Sequence, residues 1–243
     1  MKILLLLLLI FSCNRIQRKS NFSGTSYYTY KDPSGTYLLK RDLIETKKKI
    51  QLRQKLLSRS SDNKPLEKSI TISQVGVIKT KKGKTLSIRP YVSQFSIWFE
   101  KKKYFSQFKL NKKDKKLDLI LRSPEAKWNK TESLSFKPGT VYCWFSQIPE
   151  CMRRANLLVR ERRKKINFIV IWESFPYYTE QYQNVPSEVF SRAVVYFDGY
   201  FERNLKFNVR IGDQTLIYHF SEDNEFEKLF WISQGISITK DRG

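Results

Sequence analysis

The 243-residue chain carries 46 lysines and arginines against 23 acids, a formal net charge of +23, and is 40% hydrophobic and 14% aromatic. This balance excludes an intrinsically disordered chain and leaves enough apolar material for one large β-rich domain or two smaller ones. The charge suits an anionic partner such as lipid headgroups, lipopolysaccharide, a wall polymer or nucleic acid, although lysine-filled strand faces also arise from composition alone.

The chain opens MKILLLLLLIFSC: one cation, Lys2, then an apolar run from Ile3 to Phe11, then Ser12-Cys13 and a polar, basic stretch from Asn14 to Ser20. That order is the pattern of a secretory signal. The run is too short to span a bilayer, which takes ~20 residues. Ile10-Phe11-Ser12-Cys13 resembles the lipobox of bacterial lipoproteins. The resemblance implies that Cys13 receives diacylglycerol and becomes the first residue of the mature chain. Two or more acyl chains, at ~0.8 kcal/mol per buried CH₂, would then hold the protein on its membrane. Asn14, standing where the class uses Asp for inner-membrane retention, leans towards the outer membrane. The alternative is an ordinary signal peptide cut after Ser12, with Cys13 incidental. Either way the export signal argues against nucleic acid as partner.

Residues 1–12 therefore read as signal peptide and 13–34 as a lipid-anchored tether rich in Ser, Thr, Asn, Tyr and Lys, ending in the turn Asp32-Pro33-Ser34-Gly35. Residues 35–243 read as a β-rich body, either undivided or as subdomains 35–122 and 140–243. Period-two alternation predicts strands at Tyr37 to Ile44, Ile50 to Leu57, Ile70 to Ile78 and Leu86 to Ile88, the last two joined by a glycine-containing hairpin at Lys81 to Lys84. Phe95, Ile97 and Phe99 alternate with Gln94, Ser96 and Trp98, and two further strands through Phe108 and Leu119 complete a meander with short charged turns. Pro124 to Pro138 reads as a loop containing Trp128.

Thr140 to Lys165 breaks the alternation. Pro149-Glu150 suits a helix start, with Met152, Ala155, Leu158 and Val159 on one face. The cluster Arg160, Arg162, Arg163, Lys164 and Lys165 falls at its predicted C-terminal end, where it serves either as an anion site or as the complement of the helix dipole. Cys143 and Cys151 are an even pair in an oxidising compartment and are expected to form a disulfide. Ile166 to Trp172 reads as a central strand apolar on both faces. Phe175 to Pro186 is an aromatic loop, followed by a short helix capped at Ser187. Strands resume at Ala193 to Phe197, Leu205 to Ile211, Leu216 to Phe220 and within Phe226 to Ile238.

The sole histidine, His219, lies within a predicted strand, so no triad or zinc motif can be assembled, and no cofactor or metal is implied. Glu173 and Glu180 are the candidate carboxylate pair for glycoside chemistry, set against a reading of both as solvated surface acids. Trp128, Tyr177, Tyr178 and Tyr182 form a candidate aromatic surface for glycan or peptide, whereas Trp144 and Trp172 read as core. The expectation is a mainly β, α+β protein: an antiparallel meander forming a curved sheet or sandwich around one basic helix. Its expected role is non-catalytic, towards an anionic envelope polymer or an envelope protein. The alternative is a half-barrel carrier of a lipid or acyl chain.

Overall fold

The computed structural model describes residues 22–59, 64–80, 83–136 and 140–242, with the side chains of 78–85 set aside. Cys13 and the signal segment lie outside the described residues. Among the described residues, fifteen strands form a single sheet. The first eight follow one another in antiparallel order: β1 (Gly24–Asp32), β2 (Gly35–Glu45), β3 (Lys49–Ser58), β4 (Pro65–Thr80), β5 (Gly83–Phe99), β6 (Lys102–Asn111), β7 (Lys116–Arg122) and β8 (Thr131–Ser135). The remaining seven are β9 (Tyr142–Trp144), β10 (Lys165–Ile171), β11 (Phe190–Phe201), β12 (Asn204–Ile211), β13 (Gln214–Phe220), β14 (Phe226–Trp231) and β15 (Ile236–Lys240). They continue the sheet from the other side of β1, because β15 pairs with it through Tyr30↔Ile238 and its neighbours.

An open twisted sheet rarely exceeds about ten strands without curling, and this one rolls up. Its last strand, β9, pairs parallel with β10 and packs against β5 across the interior. Trp144 of β9 is fully buried and donates its indole N–H to the Ile72 carbonyl of β4 at 3.1 Å. The core spans the roll, with Ile50, Leu52, Phe108, Phe207, Leu216 and Phe220 buried. Each such side chain contributes about 1.5–3 kcal/mol relative to exposure.

After β9 the chain enters the roll as a 3-10 turn (Phe145–Gln147) and the helix α1 (Ile148–Arg154), whose residues Ile148 to Met152 are all buried. The disulfide Cys143–Cys151, with Cα atoms 5.9 Å apart, fastens α1 to β9. A second short helix, α2 (Tyr177–Gln181), lies in the aromatic loop after β10.

Several expectations are corrected. Gly24–Asp32, inside the stretch read as tether, is the strand β1, held by β2 on one side and β15 on the other. The ranges 35–122 and 140–243 contribute to one continuous sheet. Leu86 to Ile88 and Gln94 to Phe99 belong to the single strand β5; Pro90 sits at a bulge opposite Ile72 and Ser73, just beyond the last pair with β6, where its missing N–H leaves that ladder intact. The loop from Pro124 includes the edge strand β8.

The helix expected to run to Lys165 ends at Arg154. Asn156 takes a left-handed conformation (φ 55°), and the Leu157 N–H reaches back to the Met152 carbonyl at 2.8 Å, closing the helix in a Schellman-type turn. Arg160 to Lys164 are thus exposed connector residues, and the dipole argument for them falls away. No helix follows Ser187. β10 lies one strand from the sheet's end, covered only by the three-residue β9.

Candidate functional site

Where α1 and α2 meet the wall built from β1 to β5 and β13 to β15, the roll holds a partly open cavity of about 90 Å³. Its polar content comes from the inner face of β4. Glu67, Ser69, Thr71 and Ser73 project inward, because Glu67 aligns with Leu56 and Ile97, and Ser69 with Gln54 and Phe95. The Tyr178 hydroxyl donates to Glu67 Oε2 at 2.9 Å. No partner for the other oxygen is found among the described residues. Burial, with smaller contributions from the fields of Glu173 and Asp32, pushes the Glu67 carboxyl up to about 7, against the opposing Tyr178 hydrogen bond.

Glu173, just past the end of β10, is the second acid lining the cavity. It is only 3% exposed, which corrects its reading as a surface acid. Its carboxylate accepts the backbone N–H groups of Phe145 (2.9 Å) and Ser146 (2.8 Å), so it caps the turn that leads into α1. Burial raises its pKa and these hydrogen bonds resist the rise. Both oxygens are engaged in holding backbone, which is a structural duty. Glu180 stands apart, exposed on α2.

Arg41 of β2 crosses the cavity wall to Glu150 of α1 at 3.1 Å and also donates to the Ser146 carbonyl at 3.1 Å. The phenols Tyr30, Tyr178 and Tyr182 have their pKa values raised chiefly by burial, so they stay neutral donors. Among the described residues no group of three or more His, Cys, Asp and Glu side chains gathers as metal ligands. His219 is buried in β13 between Phe201 and Phe230, with its pKa lowered by burial and by the nearby Lys228 and Lys206.

The predicted aromatic set divides in two. Tyr178 and Tyr182 line the interior cavity. Trp128 and Tyr177, with ring centroids 5.3 Å apart, line a separate surface groove of about 360 Å³ together with Tyr104 and Phe99. Trp144 and Trp172 are core, as expected.

The basic cluster does not converge. Arg160 donates to the Glu222 carbonyl at 3.0 Å, Lys164 faces Glu161 at 3.8 Å, and Arg162 lies beside Gly199. Sequence reasoning missed a different basic feature. Lys40 of β2, Lys55 of β3 and Lys68 of β4 stand directly opposite one another on the outer face of the sheet. Register makes this row, and it is found by aligning the strands through their turns. Lys40 lies 3.5 Å from Asp42; Lys55 and Lys68 have no carboxylate partner among the described residues. Trp98 stands next to the row, with Lys68 5.4 Å and Lys103 5.7 Å from its ring centroid.

No protein-family model and no curated protein sequence matches the chain. A solved structure, that of a beta-barrel-like protein of domain of unknown function DUF1849 from Brucella abortus, is similar at 11% identity. The match covers 89% of this chain and 93% of that one, with a TM-score of 0.41.

The Glu67 carboxyl fixes a pH dependence. Its folded pKa lies above the ordinary carboxylate value, so the folded state binds more protons than the unfolded one between pH ~4.5 and ~7, and stability falls as pH rises through that window. Glu67→Gln should gain about 2 kcal/mol on the wild type between pH 5 and pH 8 in urea unfolding. Parallel pH profiles for the two proteins would show that Glu67 is not held in this way.

Proposed function

We propose that the protein is a lipid-anchored lipoprotein of the bacterial envelope that holds an anionic envelope polymer on the outer face of its sheet, without catalysis. The observation that carries this reading is the lysine row. Neighbouring strands lie about 4.8 Å apart, and like charges directly opposite one another cost roughly 0.2–1 kcal/mol per pair. An anionic chain laid across β2, β3 and β4 meets one cation per strand and turns that repulsion into attraction, with Trp98 offering an adjacent ring. The wide excess of cations over acids in the whole chain supports the same direction.

The size of the interior speaks against the acyl carrier. Ligand pockets for molecules of that class run to about 300–1,000 Å³, whereas the cavity offers about 90 Å³.

Binding of fluorescent dextran sulfate at low and at moderate salt tests the polymer reading. Affinity should drop about tenfold or more as the Debye length shortens. The triple variant Lys40→Gln, Lys55→Gln, Lys68→Gln should lose a comparable amount, and Lys112→Gln with Lys113→Gln, in the β6–β7 turn, should lose little. Salt-independent affinity, or equal loss in both variants, would remove the lysine row from the account and favour a protein partner. The anchor has its own test. The intact mass of the chain expressed in a bacterial host with its own signal should show a mature protein starting at Cys13 and carrying acyl mass, and Cys13→Ala should lack it. An unacylated wild-type chain would make the protein freely secreted.

A further inference from the structure

The surface groove around Trp128 has a different chemistry from both the lysine row and the interior. Trp128 is presented by a short turn that is hydrogen-bonded throughout. Asn129 exchanges bonds with Ser123 at 2.8 and 3.0 Å, the Glu125 N–H binds the Ser123 hydroxyl at 2.9 Å, and the Trp128 N–H binds the Glu125 carbonyl at 3.1 Å. The ring is therefore positioned before any ligand arrives. Tyr177 below it is fixed by donating to the Phe105 and Arg122 carbonyls at 3.0 and 3.3 Å. Phe99 lies at the rim with 62% of its surface exposed, unusual for a large apolar side chain.

The polar groups around this aromatic floor are mostly idle. Tyr104 donates to Glu125 Oε1 at 2.9 Å, which leaves Oε2 with only a long contact to Lys127 at 3.9 Å. Glu180 and Gln181 line the groove from α2, and neither side chain has a hydrogen-bond partner among the described residues. An apolar ring platform edged by free carboxylate and amide groups matches a ligand that is apolar on its faces and hydroxylated at its edges.

Charge narrows the choice. Lys127 sits 4.7 Å from the Trp128 ring centroid, so a cationic guest would meet a like charge there, while a neutral ring has only to displace this largely exposed side chain from the indole face. The two carboxylates disfavour an anionic one. The volume, about 360 Å³, falls within the usual range for small-ligand sites.

We propose that this groove is a binding site for a neutral saccharide ring, stacked on Trp128 and hydrogen-bonded through its hydroxyls to Glu125, Glu180 and Gln181. It does not depend on the polyanion reading, since it uses other residues and an uncharged ligand.

The test is calorimetric titration of the full chain with maltotriose, cellotriose and N-acetylchitotriose. At least one should saturate with millimolar affinity, and that affinity should be unchanged by added salt, because no net charge is neutralised. Trp128→Ala should weaken it about tenfold or more, and Phe99→Ala and Glu180→Gln, both at exposed positions that leave the fold intact, severalfold. The triple lysine variant should bind the sugar as the wild type does. Failure of all three sugars to saturate, binding that weakens with salt, or an unchanged affinity in the Trp128, Phe99 and Glu180 variants would overturn the proposal. The dextran sulfate result would stand unaffected by any of these outcomes.

Discussion

The ion pair between Arg41 and Glu150 joins the wall of the roll to the segment inside it. Both side chains are almost wholly shielded, and Arg41 in addition binds the Ser146 carbonyl just ahead of α1. A buried pair of this kind adds little net stability, because desolvation offsets the attraction. Removing one partner, however, strands a charge and costs about 3–5 kcal/mol. The pair therefore acts mainly on position: it selects the arrangement in which α1 sits within the sheet. Three other contacts cooperate with it. Glu173 caps the turn at Phe145 and Ser146, Gln147 bonds the Thr71 carbonyl and the Ser73 hydroxyl at 2.8 and 2.7 Å, and the disulfide fastens α1 to β9.

Much of the remaining structure follows from having backbone inside a rolled sheet. Polar main chain in a dry interior needs partners, so the inner face of β4 is Glu67, Ser69, Thr71 and Ser73, while Ile70 and Ile72 face outward. The interior left over is small, with Arg41, Glu67 and Glu173 in its lining. The outer face carries the lysine row, and the end of the β5–β6 hairpin carries the aromatic groove. The two surfaces proposed for this protein accordingly lie away from the cavity: the lysine row on the outer face, and the groove at the rim, where Ile97 and Phe99 continue the inner face of β5 beyond Phe95.

The sequence disclosed the strands of β2, β3, β6, β12 and β13 through their alternation, and the cysteine pair through its count and compartment. It did not disclose which face of β4 was the core. Alternation defines two faces, and the apolar one normally goes inward; here the demands of the plugging segment reversed the choice. The helix overran for a related reason. Leu158 and Val159 continued the apolar pattern, and Asn156, an ordinary left-handed stop, carried the only contrary signal. Of the four aromatic residues grouped by the sequence, Trp128 and Tyr177 meet at the surface groove, whereas Tyr178 on α2 and Tyr182 just after it line the interior cavity. The lysine row needed register, a property of strand pairs that no single strand contains.

In this arrangement α1 is a fixed plug and not a lid that opens to admit a larger guest. Amide hydrogen exchange of the full chain separates these directly. The N–H groups of Phe145 and Ser146, bound to Glu173, and of Ala155 and Leu157, bound to the Cys151 and Met152 carbonyls, should exchange about as slowly as those in the central strands β2 to β4, because they open only with the whole fold. Exchange at the rate of exposed loops, with β2 to β4 still protected, would mean that the segment leaves the roll on its own. The interior, and not the outer face, would then be the place to look for the ligand.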